Sequence, residues 1–477
     1  MKHALALGAI LAVFALFARK EVFSWPYYYD EADYMFGASL GWANYTDHPA
    51  QSLADYIRIG LKEGSDPALR ATLSAKSRAD SDVNFYRHWH GPLYFYWLAA
   101  VAGLHLDERT MRSLSYVFPV LTALVIYFGG LWLLPPGAGV LAAILSAVFY
   151  LWGYATIFSN EIAPHQLFVL CVVGALMLLM KWRATGDQRF WYGAVIAAAC
   201  AFCTLEVAFV LLVVIIACGA AGHTPIDRRG IGKSIFVFIA TVLFLWPAAV
   251  LKLSFLKAYL FMAYLALVRK SPWGDAGFVE TWRRRFVESP WEWALFGVAA
   301  ILYFRFCDSA TRKMLAPVLL YGVLMLLVLL RVNSETPRYM LPFLPAFQIA
   351  AGFVFASVLK SWKPALRFAS SAAVVCLLFW NAYAQLRAHP ILPAPRLAEV
   401  LDRVRQEKLD GQRLLAPQND LPMIHYYLPG VIVSGYADQR ERSLMLAQDS
   451  FDAVLYPGSP VSLQRQTSGS PHYLSRR

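Results

Sequence analysis

Residues 113–133 read SLSYVFPVLTALVIYFGGLWL, a stretch without one charged side chain. At 1.5 Å of rise per residue, a helix of about that length crosses a hydrocarbon layer roughly 30 Å thick. Outward from it in both directions, similar apolar runs fall at 4–18, 138–157, 166–181, 190–204, 207–222, 234–251, 291–304, 314–331, 343–360 and 367–384. Composition agrees. The 477 residues are 58% hydrophobic and 16% charged, whereas soluble domains sit near 45–50% apolar and about 25% charged. The expected fold is mainly α, a polytopic transmembrane helical bundle of about eleven spans.

The first run, with Lys2 ahead of it, has the look of a signal peptide. It is read as an uncleaved signal anchor, because no small-x-small site precedes Arg19 and ten further runs follow. The segment 92–104 is apolar but short, and is expected to be an interfacial or half-inserted helix.

The formal charge of +12 is compatible with nucleic acid binding in principle. Its placement excludes that partner, because the positive residues sit in short loops between apolar runs. With the amino terminus in the cytoplasm, alternate loops carry Lys2, Lys181, Arg183, Arg189, Arg228, Arg229, Lys233, Arg305, Arg312, Lys313, Lys360, Lys363 and Arg367. The same loops hold only Asp187, Asp227 and Asp308 as acids, while the opposite turns carry Glu161 and Glu206 and no Lys or Arg. This is the positive-inside pattern. It predicts a multi-pass plasma membrane protein, of the bacterial inner membrane on this reading. The polar stretches 19–110, about 252–290 and 385–477 then lie outside the cytoplasm.

Two domains are expected: a transmembrane domain over 1–384 with a large first outer loop at 19–110, and an extracytoplasmic domain over 385–477. In the latter, PRLAEVLDRVRQ and LPMIHYY predict helices, whereas RLLAP, VIVSGY and DAVLYPG predict strands. That alternation predicts a small α/β module with parallel strands, either an accessory cap or an acceptor-docking piece. The tail SLQRQTSGSPHYLSRR is expected to be poorly ordered. The six cysteines all lie in or beside apolar runs, so no disulfide framework is expected. Cys200 and Cys203 have CxxC spacing without a second pair, and are read as small packing residues.

Candidate chemistry gathers at the predicted outer face. WPYYYDEADY places Asp30, Glu31 and Asp33 among Tyr27, Tyr28, Tyr29 and Tyr34. A carboxylate among aromatic rings near a membrane surface loses solvation and gains basicity, which suits deprotonation of a hydroxyl. A solvated helix start with acids in its first turn accounts for the same residues. FYRHWHGPLYFYWL offers Arg87, His88 and His90 to an anion, a metal or a sugar hydroxyl, or to a purely structural role. FSNEIAPHQLF clusters Asn160, Glu161 and His165, and FCTLEVAFV adds Glu206, all near membrane depth, where ionisable groups are expensive. RVNSETPRYMLPFLPAF presents Glu335, Arg338 and Tyr339. The Arg338 guanidinium suits bidentate binding of a phosphate, or snorkelling to headgroups. Lys252, Lys257, Arg269 and Lys270 flank an interfacial segment and face lipid phosphate or anionic headgroups.

The order of these motifs resembles the GT-C class of integral-membrane glycosyltransferases, particularly the bacterial relatives of protein O-mannosyltransferases and the aminoarabinose transferase of lipid A. YYYDEADY is similar to the acidic motif of the first outer loop. HGPLYFYWLAAVAGLHLDERTMRSLSYVFPVLTAL is similar to the His-Pro-Pro-Leu-Tyr helix and the arginine-bearing span after it. YATIFSNEIAPHQLF stands where the family has an Arg-Pro-Asp-like turn, and TPRYMLPFLPAF resembles its Arg-Tyr-Leu-Leu-Pro-x-x-Pro segment. The likeness covers roughly residues 10–360.

The resemblance implies transfer of a sugar from a polyprenyl-phosphate donor to an extracytoplasmic acceptor, a lipid, a glycan or a protein hydroxyl. It implies inversion at the anomeric carbon, with Asp30 as base and Glu31 beside it. Arg338 and Tyr339 would meet the donor phosphate, Lys257 or Lys252 would assist, and His90, His165, Glu161 and Glu206 would contribute to substrate binding. The cofactor is left open, a divalent metal being one option. The middle turn departs from the family: His165 stands in the aspartate's place, and the second acidic function is missing or falls to Glu161 or Glu206. Two other functions are compatible with the chain, a polysaccharide polymerase or ligase using a lipid-linked oligosaccharide, and a transporter or flippase. The transporter is disfavoured because no paired repeats with matching broken helices occur and the polar residues gather on one face.

Overall fold

The computed structural model describes residues 2–20, 24–28, 30–39, 90–158, 161–221, 226–247, 259, 278–329, 337–388, 395–436, 438–448, 450–457 and 461–465. Helices occupy the predicted runs: Lys2–Lys20, Val117–Leu133, Pro136–Leu151, His165–Thr185, Gln188–Phe202, Phe209–Ala221, Arg228–Leu245, Pro290–Phe306, Ser309–Leu329, Leu344–Leu359 and Pro364–Ala388. Among the described residues, four helical segments, Glu108–Leu133, His165–Thr185, Ser309–Leu329 and Pro364–Ala388, are long and apolar enough to cross a membrane. Large apolar side chains stand exposed on several helices, among them Phe236, Phe244, Phe304 and Phe368. Such surfaces need lipid around them, and the chain is a multi-pass membrane protein.

The three acids of the basic loops have a local job, which is to start helices. Asp187 Oδ1 accepts from the Arg189 N–H at 2.9 Å, Asp227 Oδ1 from Gly230 at 2.7 Å and Asp308 Oδ1 from Thr311 at 2.7 Å. Each satisfies an N–H that the first helical turn leaves over.

Two compact units are formed. The first comprises 1–22, 111–247 and 258–391, and the second comprises 23–110, 248–257 and 392–477.

In the first unit, Leu344–Leu359 is buried along its whole length and packs on Pro136–Leu151. Their backbones meet at Gly352, where an added Cβ would stand 2.6 Å from the Ser146 nitrogen. Between membrane helices such close approach replaces the hydrophobic drive that lipid removes. Phe149 stacks on Phe296 and Phe355 with centroids at 6.0 and 6.1 Å. The run predicted as one span over 138–157 is corrected here. Its helix ends at Leu151 and resumes as Tyr154–Phe158, with Gly153 in the break because a Cβ there would lie 2.2 Å from the Gln348 amide nitrogen.

In the second unit, the helix Asp30–Ser39 packs on Leu93–Ala102, the short helix expected at 92–104. The carboxyl-terminal module has four strands, β1 Arg413–Pro417, β2 Ile432–Tyr436, β3 Ala453–Tyr456 and β4 Ser462–Arg465, in the order β2-β1-β3-β4. β1 is parallel to β2 and β3, with Leu415 opposite Ser434 and Val454. Leu414, Leu415 and Ala416 are fully buried, as a central parallel strand covered on both faces requires. The helices Pro395–Gln406 and Leu421–Tyr427 form where expected. One feature corrects the reading of the tail: Ser462–Arg465, expected to be poorly ordered, pairs antiparallel with β3, while 466–477 lie outside the described residues. Gln439–Gln448 is a helix with no counterpart among the expected elements.

Candidate functional site

In the first unit, two segments far apart in sequence meet around an arginine. Proline-rich sequence folds 337–340 into a 3-10 turn that carries Arg338 and Tyr339 just ahead of Leu344–Leu359. The turn 161–164 carries Glu161 and leads into His165–Thr185, with His165 as its first residue. Arg338 Nη1 donates to Glu161 Oε2 at 2.7 Å, and Nη2 lies 3.4 Å from the Tyr339 hydroxyl. The guanidinium carbon sits 5.1 Å from the Tyr339 ring centroid, and the His165 ring meets that ring edge-on at 5.7 Å. Arg338 and His165 are buried, whereas the Glu161 side chain is 32% exposed. Four predicted site residues thus form one cluster: a cation, a carboxylate, a phenol and an imidazole. Chemically it is an arginine–carboxylate ion pair with a phenol and an imidazole beside it, a planar-donor group of the kind that recognises anions.

Glu206 is buried on a separate 3-10 turn, 206–208. It stands close enough to Tyr259 to act on it electrostatically, and the Tyr259 hydroxyl donates to the Phe202 carbonyl.

In the second unit, Asp30 opens the helix Asp30–Ser39 and is half-buried, whereas Glu31 and Asp33 on its first turn are buried. His90 is buried, its Nε2 2.8 Å from the Tyr34 hydroxyl. Tyr34 also meets Tyr94 and Phe95 edge-on, at 6.2 and 5.7 Å. Tyr34, on the helix that Asp30 opens, thus sits in an aromatic cluster. Lys252, Lys257, Arg87, His88, Asn160, Arg269, Lys270 and Glu335 lie outside the described residues.

No protein-family model and no curated protein matches the chain. Solved structures do match. The archaeal oligosaccharyltransferase AglB from Archaeoglobus fulgidus, in complex with an inhibitory peptide and a dolichol-phosphate, superposes with a TM-score of 0.61 at 12% identity. The match covers 95% of this chain and 69% of that one. ArnT from Cupriavidus metallidurans, bound to undecaprenyl phosphate, gives a TM-score of 0.57 at 13% identity over 94% of this chain and 88% of its own. The chain has the GT-C fold. A further Archaeoglobus fulgidus oligosaccharyltransferase structure, a complex with Zn and sulfate, matches with a TM-score of 0.54 at 12% identity over 94% of this chain and 67% of that one.

This GT-C bundle holds a buried carboxylate that the motifs did not point to. Glu292, on the first turn of Pro290–Phe306, is 1% exposed. Its Oε1 accepts from Gln348 Nε2 at 2.7 Å, and its Oε2 from the Ser289 hydroxyl at 2.8 Å and the Tyr154 N–H at 3.3 Å. Asn381 Nδ2 donates to the same Ser289 hydroxyl at 3.0 Å. The network ties the broken helix before Glu161 to the helix after Arg338. A usable signal was present in the sequence, since a carboxylate within the predicted span 291–304 marks a candidate site by its cost alone.

A divalent metal would need several carboxylate or imidazole donors converging on one point. Among the described residues no group of three or more His, Cys, Asp and Glu does so. The donor set described does not fit such an ion, and no step below passes through one.

Proposed function

We propose that this protein transfers a sugar from a polyprenyl-phosphate donor to an acceptor hydroxyl outside the cytoplasm. The observation that carries the reading is the Arg338–Glu161–Tyr339–His165 cluster within a GT-C bundle. The neighbours bear on the donor: ArnT is bound to undecaprenyl phosphate, and AglB to a dolichol-phosphate and a peptide.

On this reading the acceptor oxygen attacks the anomeric carbon while the bond from that carbon to the phosphate oxygen breaks. The bonding pair leaves with the polyprenyl phosphate, whose new charge Arg338 stabilises, Tyr339 lending its hydroxyl. Asp30 takes the acceptor's proton, and a single displacement inverts the anomeric centre. Glu161 orients the guanidinium and offsets part of its charge, so product phosphate is not held too tightly. The amino terminus is placed in the cytoplasm and the carboxyl-terminal module outside, a topology that the loop charges support.

The test is release of radiolabelled sugar from a panel of polyprenyl-phosphate sugars, with membrane extract as acceptor source, by wild type and Asp30→Asn. Turnover by wild type and its loss in a folded Asp30→Asn variant would support donor and base together. Equal turnover would remove Asp30 and turn attention to Glu31 or Asp33. Turnover only with a lipid-linked oligosaccharide would move the reading to a polymerase or ligase.

A further inference from the structure

Just ahead of Asp30, the second unit fastens its chain in an unusual way. The Tyr427 phenol, at the end of the helix Leu421–Tyr427, accepts from the backbone N–H of Tyr27 at 2.8 Å. The same phenol donates to Glu108 Oε1 at 2.8 Å. A phenol has one proton, so giving it to Glu108 turns the oxygen lone pairs to the Tyr27 amide. The Tyr27 ring lies against Tyr426 at 5.5 Å, edge-on, and stacks on Tyr427 at 6.2 Å.

The helix that presents Tyr427 is itself held. Asp420, immediately before it, is fully buried and takes both arms of Arg396, at 2.7 and 3.2 Å. The Tyr28 phenol bears on that same guanidinium. Two residues before Tyr427 on the same helix, His425 stacks on Phe36 at 5.8 Å. Tyr27 and Tyr28 are therefore both tied to the carboxyl-terminal module, and the Glu31 N–H returns to the Tyr28 carbonyl at 3.2 Å. Three residues of extended chain reach at most about 11 Å, so anchoring the Tyr27 amide limits where Asp30 can stand. Ring stacking alone would tolerate a slip along the chain, whereas a hydrogen bond to one amide sets its register.

We propose that Tyr427 is a positioning residue for the Asp30 carboxylate, making the carboxyl-terminal α/β module part of the reaction machinery. The inference rests on the role proposed for Asp30. It departs from the expectation that the module is an accessory cap or an acceptor-docking piece.

The test uses the full chain with Tyr427→Phe, which keeps the ring and removes only the hydroxyl. Three quantities are measured: the melting temperature, hydrogen exchange over the peptide 24–31, and kcat and KM for the polyprenyl-phosphate donor. The expected result is faster exchange at the Tyr27 amide and a ~10–100-fold lower kcat, the scale of loss that a misplaced catalytic group brings. Donor KM stays unchanged and melting stays close to wild type. Glu108→Gln, which still accepts the phenolic proton, retains most of the turnover. Unchanged exchange at Tyr27, or a kcat loss that only tracks lower melting and raised KM, would overturn the inference. If wild type turns over no donor, the reading of the reaction falls. The exchange arm then decides the tether alone, faster exchange supporting it and unchanged exchange overturning it.

Discussion

At the scale of the residue, Arg338 carries the most chemistry. It is buried, yet one of its arms is committed to a carboxylate that reaches solvent. On the proposed role the planar, bidentate fork matters as well as the charge, and a lysine lacks that fork. Arg338→Lys is therefore expected to lower kcat/KM for the donor by about 10–100-fold, equivalent to ~1.5–3 kcal/mol, in the sugar-release assay. Retained activity in that variant would mean that charge alone suffices and the fork geometry is irrelevant. The grouping of Arg338 with Glu161 was only half legible in the sequence. Loop charge put both on one face, but contact between residues 177 apart is a property of the packing.

At the scale of the element, the Glu292 network fixes where helices break and start. Glu292→Leu leaves the Tyr154 N–H, the Ser289 hydroxyl and the Gln348 amide with one acceptor fewer, which costs about 1–3 kcal/mol per stranded group. A clear drop in melting temperature in detergent is expected, with Glu292→Gln intermediate. Equal melting for all three proteins would show that the network is dispensable. The break at Gly153 escaped the sequence because its cause is tertiary, an amide and a carboxylate brought in by two other helices. Two elements of the carboxyl-terminal module escaped for local reasons. In Gln439–Gln448 the apolar residues Leu444, Met445 and Leu446 are consecutive and mark no helical face. In β4 only Leu463 is buried, too little pattern to declare a strand. Runs with strong periodicity or length, such as Pro395–Gln406 and Ser309–Leu329, were plain from the start.

The helix Leu421–Tyr427 also carries a pH dependence. Burial pulls its His425 imidazole down from the ordinary 6.5 to about 4. Between those values the unfolded chain binds more protons than the folded one, so stability is complete above about 6.5 and falls as pH drops toward about 4. Thermal unfolding of the second unit is expected at lower temperature at pH 5 than at pH 7, and His425→Phe should flatten that slope. An unchanged slope in the variant would assign the effect to other groups.

At the scale of the whole molecule, the loop charges make a prediction that no single helix can. With the amino terminus in the cytoplasm, alkaline phosphatase fused after residue 477 should be active. A lone cysteine introduced at Asp187 should label only from the cytoplasmic side. The reverse pattern would invert the topology and strip the proposed base of its extracytoplasmic acceptor. The GT-C architecture itself was visible from motif order, because each motif sits at a helix end, where residue type is tightly constrained. The division into units was not visible, since the second unit is assembled from pieces that sequence order keeps apart.

That discontinuity has a consequence for how the protein is made. Tyr27 and Glu108 emerge early in synthesis, whereas Tyr427 follows 400 residues after the first and 319 after the second. At the ~5–20 residues per second of translation, the acidic motif waits on the order of 20–80 s for its partner. Throughout that interval the nascent chain holds its carboxylate without the tether that aims it. On the roles proposed for Asp30 and Tyr427, a product that terminates before residue 427 would carry the acidic motif without its tether. Completion of the last domain would then set when the proposed base is aimed.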